Sequence, residues 1–599
     1  MSNLSSNEEK EIIEIIELLH QSFKGTDNSK FKEISNKLNE KFTDLPKGIS
    51  LLLKSLSLKS INNVDIPLDN HLSIIIYLKN ILLTKQNELN SNDISSCLEA
   101  ILNLVFNQNK KNDNLNNAKI INIIKNIISI ISTSLLLITD TDYMYRAFKI
   151  ISESVYVHST NKDNNFLKII KSAIILSTSL LTAKGIQTFI FEKLLNDYYI
   201  PIINIIFKNV PNYIDPKNNI YNDEYICILK HLYDGLFLIF TKMRGIFNNE
   251  KRKEIGCKIF REYGAYSYEL LQIMPTMEEA SIKKYNNNNP LIIFNIDEQK
   301  CYEINHMKAM ILQFLSTIVQ ISTLEVPKMN EEMKNFINDK ELVELVNKII
   351  VLIIKSFEDI LNNQQKFIFI RRYSSEEDSN EKDDCFNMLL FQMFIFLLRA
   401  LLREPIKSEF SLHIKKFLLN ILFPLIITID DEINFLELDP EGYHQYIDDM
   451  TNEFKNKNFR TCACFLITRI CEKFDDMINF NLSFNIEMLN YILNEGKIIE
   501  DELSEYNVYL KNKNDAIINK FSDVIKLDFA LLIILVLKEY LKNNTFFINR
   551  FIEIISNNQE KLHLIQSPII KIKLCQIYNY FSSDLFQCDK STKNEEKKS

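Results

Sequence analysis

The chain has 599 residues, more than a single hydrophobic core accommodates, because cores stop growing near ~250–300 residues. It is 46% hydrophobic and 25% charged, which excludes a disordered polymer, and its net charge of −8 disfavours a nucleic-acid backbone as the principal ligand. Only 9 glycines and 12 prolines occur, too few for a protein built from tight hairpins, whereas long helices joined by polar links need few.

Apolar residues recur at three- and four-residue spacing along almost the whole chain, which is the period of a helix with one buried side. Ile12, Ile13, Ile16, Leu19 and Phe23 form the first stripe, and Phe31, Ile34, Leu38 and Phe42 the second. Pro46 precedes a third over 49–58, and a fourth over 72–83 is entered through Pro67 and Asp69, residue types suited to a helix start. The same rhythm predicts helices over 94–106, 118–138, 142–157, 165–183, 187–208, 223–247, 250–273, 301–322 and 330–361. Later helices are predicted over 386–403, 408–427, 459–475, 484–494, 513–524, 528–542 and 566–582. Pro201 falls inside one span and is expected to kink or divide it.

The spans 120–138 and 529–541 are apolar on more than one side, as expected of helices sandwiched between neighbours in a stack. Polar interruptions at 107–117, 161–165, 286–290 and 374–384 predict loops, and 587–599 predicts a disordered tail. The fold class expected is all-α, a HEAT/ARM-type right-handed α–α superhelical solenoid. At ~40–47 residues per helix pair it holds about 13–14 units.

Ten cysteines are scattered through the chain, and residues 1–21 are too charged for a signal peptide, which predicts reduced thiols in the cytosol or nucleus. The longest uncharged apolar stretch, near 126–139, is too short to span a bilayer, so no membrane insertion is expected. No glycine-rich phosphate loop occurs; the closest glycines of interest, Gly256 and Gly264, lie eight residues apart. Cys462, Cys464 and Cys471 share one predicted helix, where i and i+2 point ~200° apart, so they read as small buried hydrophobes rather than metal ligands. The eight histidines form no paired-ligand motif, and no serine sits in a nucleophile-elbow setting. A non-enzymatic protein without cofactor or metal is expected.

Two acidic stretches stand out. Residues 374–384 include Glu376, Glu377, Asp378, Asp383 and Asp384, and residues 430–449 contain eight Asp or Glu and no Lys or Arg. Each reads either as a solvated loop or as a latch for a basic partner.

The N-terminal order IEIIELLHQSF, FKEISNKLNEKF, LPKGISLLLKSL and HLSIIIYLKNIL, with the triplet Leu78, Lys79 and Asn80, resembles the N-terminal domain of the importin-beta (karyopherin-beta) family. Further on, Leu422, Phe423 and Pro424 precede Asp430, Asp431, Glu432, Phe435, Glu437, Asp439, Pro440, Glu441 and Tyr443. This acidic segment resembles that of the subgroup holding the importin-alpha exporter and importins seven and eight, and 460–474 resembles the helix that follows in the exporter.

The resemblance covers 8–85 and 410–475 and implies a division into 1–107, an importin-beta-like N-terminal domain, and 108–586, a continuing solenoid. It implies Ran-GTP on the N-terminal inner helices at Lys79, Asn80 and Lys85. It also implies protein cargo along the concave side, with importin-alpha among the candidates, and Phe-Gly nucleoporins in the outer grooves. The acidic loop Glu376, Glu377, Asp378, Asp383 and Asp384 becomes a partner contact, and Asp431, Glu432, Asp439 and Glu441 the family's acidic segment. Shuttling between nucleus and cytoplasm follows. No motif separates importer from exporter, although 460–474 leans towards the exporter. The competing expectation is a helical scaffold or assembly chaperone that ignores Ran.

Overall fold

The computed structural model describes residues 6–24, 28–58, 60–61, 64–85, 88–106, 117–137, 142–161, 166–215, 220–272, 299–322, 340–362, 381–404, 406–426, 441, 459–474, 476–494, 523–565 and 567–582. These residues are all-α apart from two short strand pairs, and the chain divides into two compact units, Met1–Gly256 and Cys257–Ser599. Among the described residues no helix is long and apolar enough to cross a membrane.

The first unit holds α1 (Ser6–Lys24), α2 (Asn28–Lys41), α3 (Leu45–Ser57), α4 (Leu68–Lys85), α5 (Ser91–Phe106), α6 (Ala118–Leu137), α7 (Asp142–Asn161) and α8 (Phe166–Leu181). It continues through α9 (Thr188–Leu194), α10 (Ile200–Tyr213) and α11 (Asp223–Lys242) into α12 (Asn249–Leu271), within which the unit boundary falls. α3 shows why such helices form. Pro46 sits in its first turn and the Asp44 carboxylate accepts the Lys47 N–H at 3.2 Å, a cap of ~1 kcal/mol. Leu45, Ile49, Leu52 and Leu56 are buried, at ~1.5–3 kcal/mol each, so packing rather than capping decides the helix. Asparagine caps recur: Asn90, Asn222, Asn248 and Asn544 each accept the N–H three residues on. These asparagines therefore have a local structural use.

Packing follows alternate helices. α4 packs on α6, α6 on α8 and α8 on α11, while α3 packs on α5, α5 on α7 and α7 on α10. Cross-contacts α5 to α6 and α7 to α8 join the two rows. This is the layering of a HEAT/ARM-type stack, in which each pair is sandwiched by its neighbours.

The second unit repeats the pattern. The helix Gln299–Ser322 packs on Glu381–Ala400, which packs on Phe459–Lys473, which packs on Asp523–Val536, which packs on Pro568–Tyr580. Beside this row, Lys340–Asn362 packs on the segment Leu418–Leu422, and Met477–Leu493 on Thr545–Asn557.

The structure corrects several expectations. The span 187–208 is divided, as Pro201 predicts, but through a π-helical turn, Leu195–Tyr199, between α9 and α10, which begins at Ile200 and runs on to Tyr213. The span 408–427 breaks into Ile406–Phe410, a 3₁₀ turn Ser411–His413, Ile414–Phe417, a second π turn Leu418–Leu422, and Phe423–Leu425. The helix expected at 484 starts at Met477, because its early turns carry buried asparagines in place of an apolar stripe. The helices Thr545–Asn557 and Gln559–Leu564 and the short helix Lys538–Lys542 were not separately expected. Two antiparallel pairs, β1 (Ser60–Ile61) with β2 (Val64–Asp65) and β3 (Ile214–Asp215) with β4 (Ile220–Tyr221), close the α3–α4 and α10–α11 connections. Ile61, Val64, Ile214 and Ile220 favour extended backbone there, too briefly for any periodicity to register.

Candidate interaction surface

α4 buries His71, Ile74, Ile75, Leu78, Ile81 and Leu82. At ~100° per residue this leaves Asn80, Leu83 and Thr84 on the opposite side, with Lys79 at its edge. Asn80 is exposed, Lys79 half-buried, and Leu83 is 55% exposed. Lys85, the last residue of α4, is half-buried and lies on the side of Leu78. The structure thus brings Lys79 and Asn80 together and separates Lys85 from them. Tyr77 meets Phe42 edge-on at 5.2 Å, and Leu78 is in the core, so both support the helix. Leu83 is the neighbour that sequence reading missed, because a leucine within an apolar run reads as core.

The preceding connection is held by His71, fully buried between the Leu58 carbonyl, 3.1 Å from Nε2, and the Pro67 carbonyl, 3.3 Å from Nδ1. Burial lowers its pKa, and the two carbonyls oppose that shift.

The surface started by α4 continues along its row. α6 exposes Lys119, Asn122, Lys125 and Asn126, α8 leaves Lys168 and Lys171 half-buried, and neither helix contains an acidic residue. On α11, Lys230 is half-buried; burial pushes the Asp234 carboxyl up in pKa while the Lys125 ammonium pulls it back. Apart from Asp234, the carboxylates of this row sit in the first turns of α4 and α11, at Asp69, Asp223 and Glu224. The net positive charge of the row is therefore greatest in its middle, on α6 and α8.

Ion pairs occur elsewhere in this unit. Glu8, Glu11 and Glu14 of α1 meet Lys54, Lys47 and Lys41 at 2.8, 3.9 and 2.7 Å, and Arg146 of α7 meets Glu99 of α5 at 2.5 Å. The lysine row can hold an acidic protein surface. Each exposed ion pair contributes ~0–1 kcal/mol, so affinity must come from several together and fall with salt.

The other expected sites fall differently. Glu376, Glu377, Asp378, Asp431, Glu432, Asp439 and the tail 587–599 lie outside the described residues. Asp383 and Asp384 are in the first turn of the helix Glu381–Ala400, and Glu441 is exposed. Cys462, Cys464 and Cys471 are all buried, and burial raises their thiols, Cys464 to about 11 and Cys471 to about 12. Arg460, at the start of the same helix, is buried and donates to the Ile426 carbonyl at 2.6 Å. Its part of the acidic segment's helix is thus structural.

No protein-family model matches the sequence, and no curated protein matches it. Among solved structures, the chain is similar to Kap121p bound to Nup53p, with TM-score 0.29 and 11% identity over 96% of this chain and 57% of that one. It is similar to Kap121p bound to the extreme C-terminus of the protein phosphatase Cdc14p, with TM-score 0.23 and 11% identity over 97% of this chain and 59% of that one. The complex SYS-1/POP-1 matches with TM-score 0.21 and 10% identity over 76% of this chain and 99% of that one. The chain spans 57% to 59% of the length of these Kap121p chains.

Proposed function

We propose that the chain is a non-enzymatic transport receptor that binds Ran in its GTP form and a protein cargo, shuttling between nucleus and cytoplasm. The observation that carries this reading is the lysine row of α4, α6, α8 and α11, which contains Lys79 and Asn80, two of the three residues that the importin-beta resemblance marks for Ran. A stack whose layers touch only their neighbours flexes, so two partners on it change each other's affinity by linkage. Phe-Gly nucleoporins and importin-alpha belong to the same proposal, importin-alpha as an exported cargo.

Replacing Lys79 and Asn80 with Ala tests the assignment. Both side chains lie outside the core, so thermal stability should hold within ~0.5 kcal/mol. Ran-GTP affinity should fall about tenfold, as expected for losing two polar contacts. Unchanged affinity in this double variant removes these positions from the Ran surface.

A further inference from the structure

In the second unit, the helix Lys340–Asn362 faces the broken stretch 406–421 across an open groove. Two adjoining hollows, of about 590 and 450 Å³, share Asn347, Val351 and Glu409 and so form one channel. The 3₁₀ turn Ser411–His413 interrupts the second wall, so that wall cannot follow its neighbour as one straight helix would. The floor is apolar: Ile406, Phe410 and Phe417 are buried along it, Ile354 is half-buried and Val351 is 49% exposed. The rings of Phe410 and Phe417 meet edge-on at 5.3 Å and tie the two ends of the turn together. That turn also carries Leu412, between Phe410 and His413, both of which line the groove. Leu412 itself is 86% exposed, so it does not fill its own groove.

A single exposed leucine needs no explanation, but one at the rim of an open apolar groove marks an interaction surface. We propose that a second copy of this chain covers this surface, in a two-fold dimer in which Leu412 of each copy enters the groove of the other beside Val351. Projection and hollow lie side by side on one surface, the arrangement that a two-fold axis makes self-complementary. Charge selects the same occupant. The chain carries −8 overall, yet the described residues lining the groove include three lysines, Lys340, Lys348 and Lys416, and three glutamates, Glu344, Glu358 and Glu409. Two copies therefore meet here without the repulsion of their net charge, whereas a strongly acidic or basic partner finds no matching field. This surface lies in a different unit from the lysine row and requires no Ran.

The test is sedimentation velocity of the full chain. Between about 1 and about 100 μM the mass should rise from one copy to two. Leu412→Glu drives a carboxylate into the apolar groove and should weaken association at least about a hundredfold, because the two-fold axis counts the change twice. Val351→Lys should do the same from the groove side. Mixed in equal amounts, these two variants should regain the dimer. The mixed pair keeps one intact leucine-in-groove contact and sets the introduced carboxylate against the introduced ammonium. Tyr156→Glu alters a 65% exposed aromatic of α7 in the first unit and should leave association unchanged. All three positions face water, so each variant should keep the parent's melting temperature. The proposal is overturned by a parent chain that stays a single copy at about 100 μM. It is also overturned if Leu412→Glu dimerises as the parent does, if Tyr156→Glu loses association to the same degree, or if the mixture associates no better than its components.

Discussion

Asp528 and Lys573 are buried together in the second unit, joined as an ion pair between the helices Asp523–Val536 and Pro568–Tyr580. Two buried charges gain little net stability together, yet removing one leaves the other stranded. Asp528→Ala should therefore destabilise the chain by ~3–5 kcal/mol, read as a large fall in melting temperature, whereas the apolar pair D528L/K573M should recover most of that loss. The thiols give a second residue-scale expectation. Cys97, Cys257, Cys462, Cys464 and Cys471 are buried and Cys575 is exposed. A thiol reagent at neutral pH should label Cys575 in the native protein and reach these five buried thiols only after denaturation. His71 gives a third. Its folded pKa lies below the ordinary 6.5, so above 6.5 both folded and unfolded forms are neutral and its contribution is fully present. As pH falls through 6.5 the unfolded chain takes the proton first, and stability is lost down to the lowered folded pKa. His71→Gln should flatten that part of the melting-temperature profile.

At the scale of elements, the two π turns share a cause. Pro201 follows Leu195–Tyr199 and Pro424 follows Leu418–Leu422, each proline two residues past the turn. In each case the residue before the proline donates its N–H to a carbonyl five residues back, Ile200 to Leu195 and Phe423 to Leu418. A proline in α register clashes with the carbonyl four residues back, and the added residue of a π turn relieves that clash. Deleting exposed Asn196 should force Pro201 into α register at a cost of ~3 kcal/mol, and Pro201→Ala in the same deletion should restore most of it. This is also where legibility in the sequence ends. Pro201 announces a disturbance, but whether it appears as a kink, a break or a π turn depends on packing against α7. The long amphipathic spans, such as α7 and α12, are readable because one buried stripe persists over several turns. The start of Met477–Leu493 is not, because Asn481 and Asn485 are buried and polar residues on a core side defeat the pattern. On α4, the motif names Lys79, Asn80 and Lys85 together, while the helix period puts Lys85 on the side of Leu78.

For the whole molecule the informative property is the distribution of charge rather than its sum. A net charge of −8 suggests a surface for basic partners, yet the middle of one row of the first unit presents lysines on helices that lack acids. That row was invisible to the sequence because Lys79, Lys125, Lys171 and Lys230 lie on four helices that only the stack brings side by side. Attraction by such a row is screened beyond about 8 Å at physiological salt, so association with an acidic partner should slow steeply as salt rises, with a smaller effect on dissociation. The most direct measurement is retention of the full chain on immobilised Ran locked with GTP against Ran loaded with GDP, at equal loading. A transport receptor of the proposed kind binds the GTP form and is barely retained by the GDP form. Equal retention on both, or on neither, contradicts the account and leaves a helical scaffold that does not sense Ran.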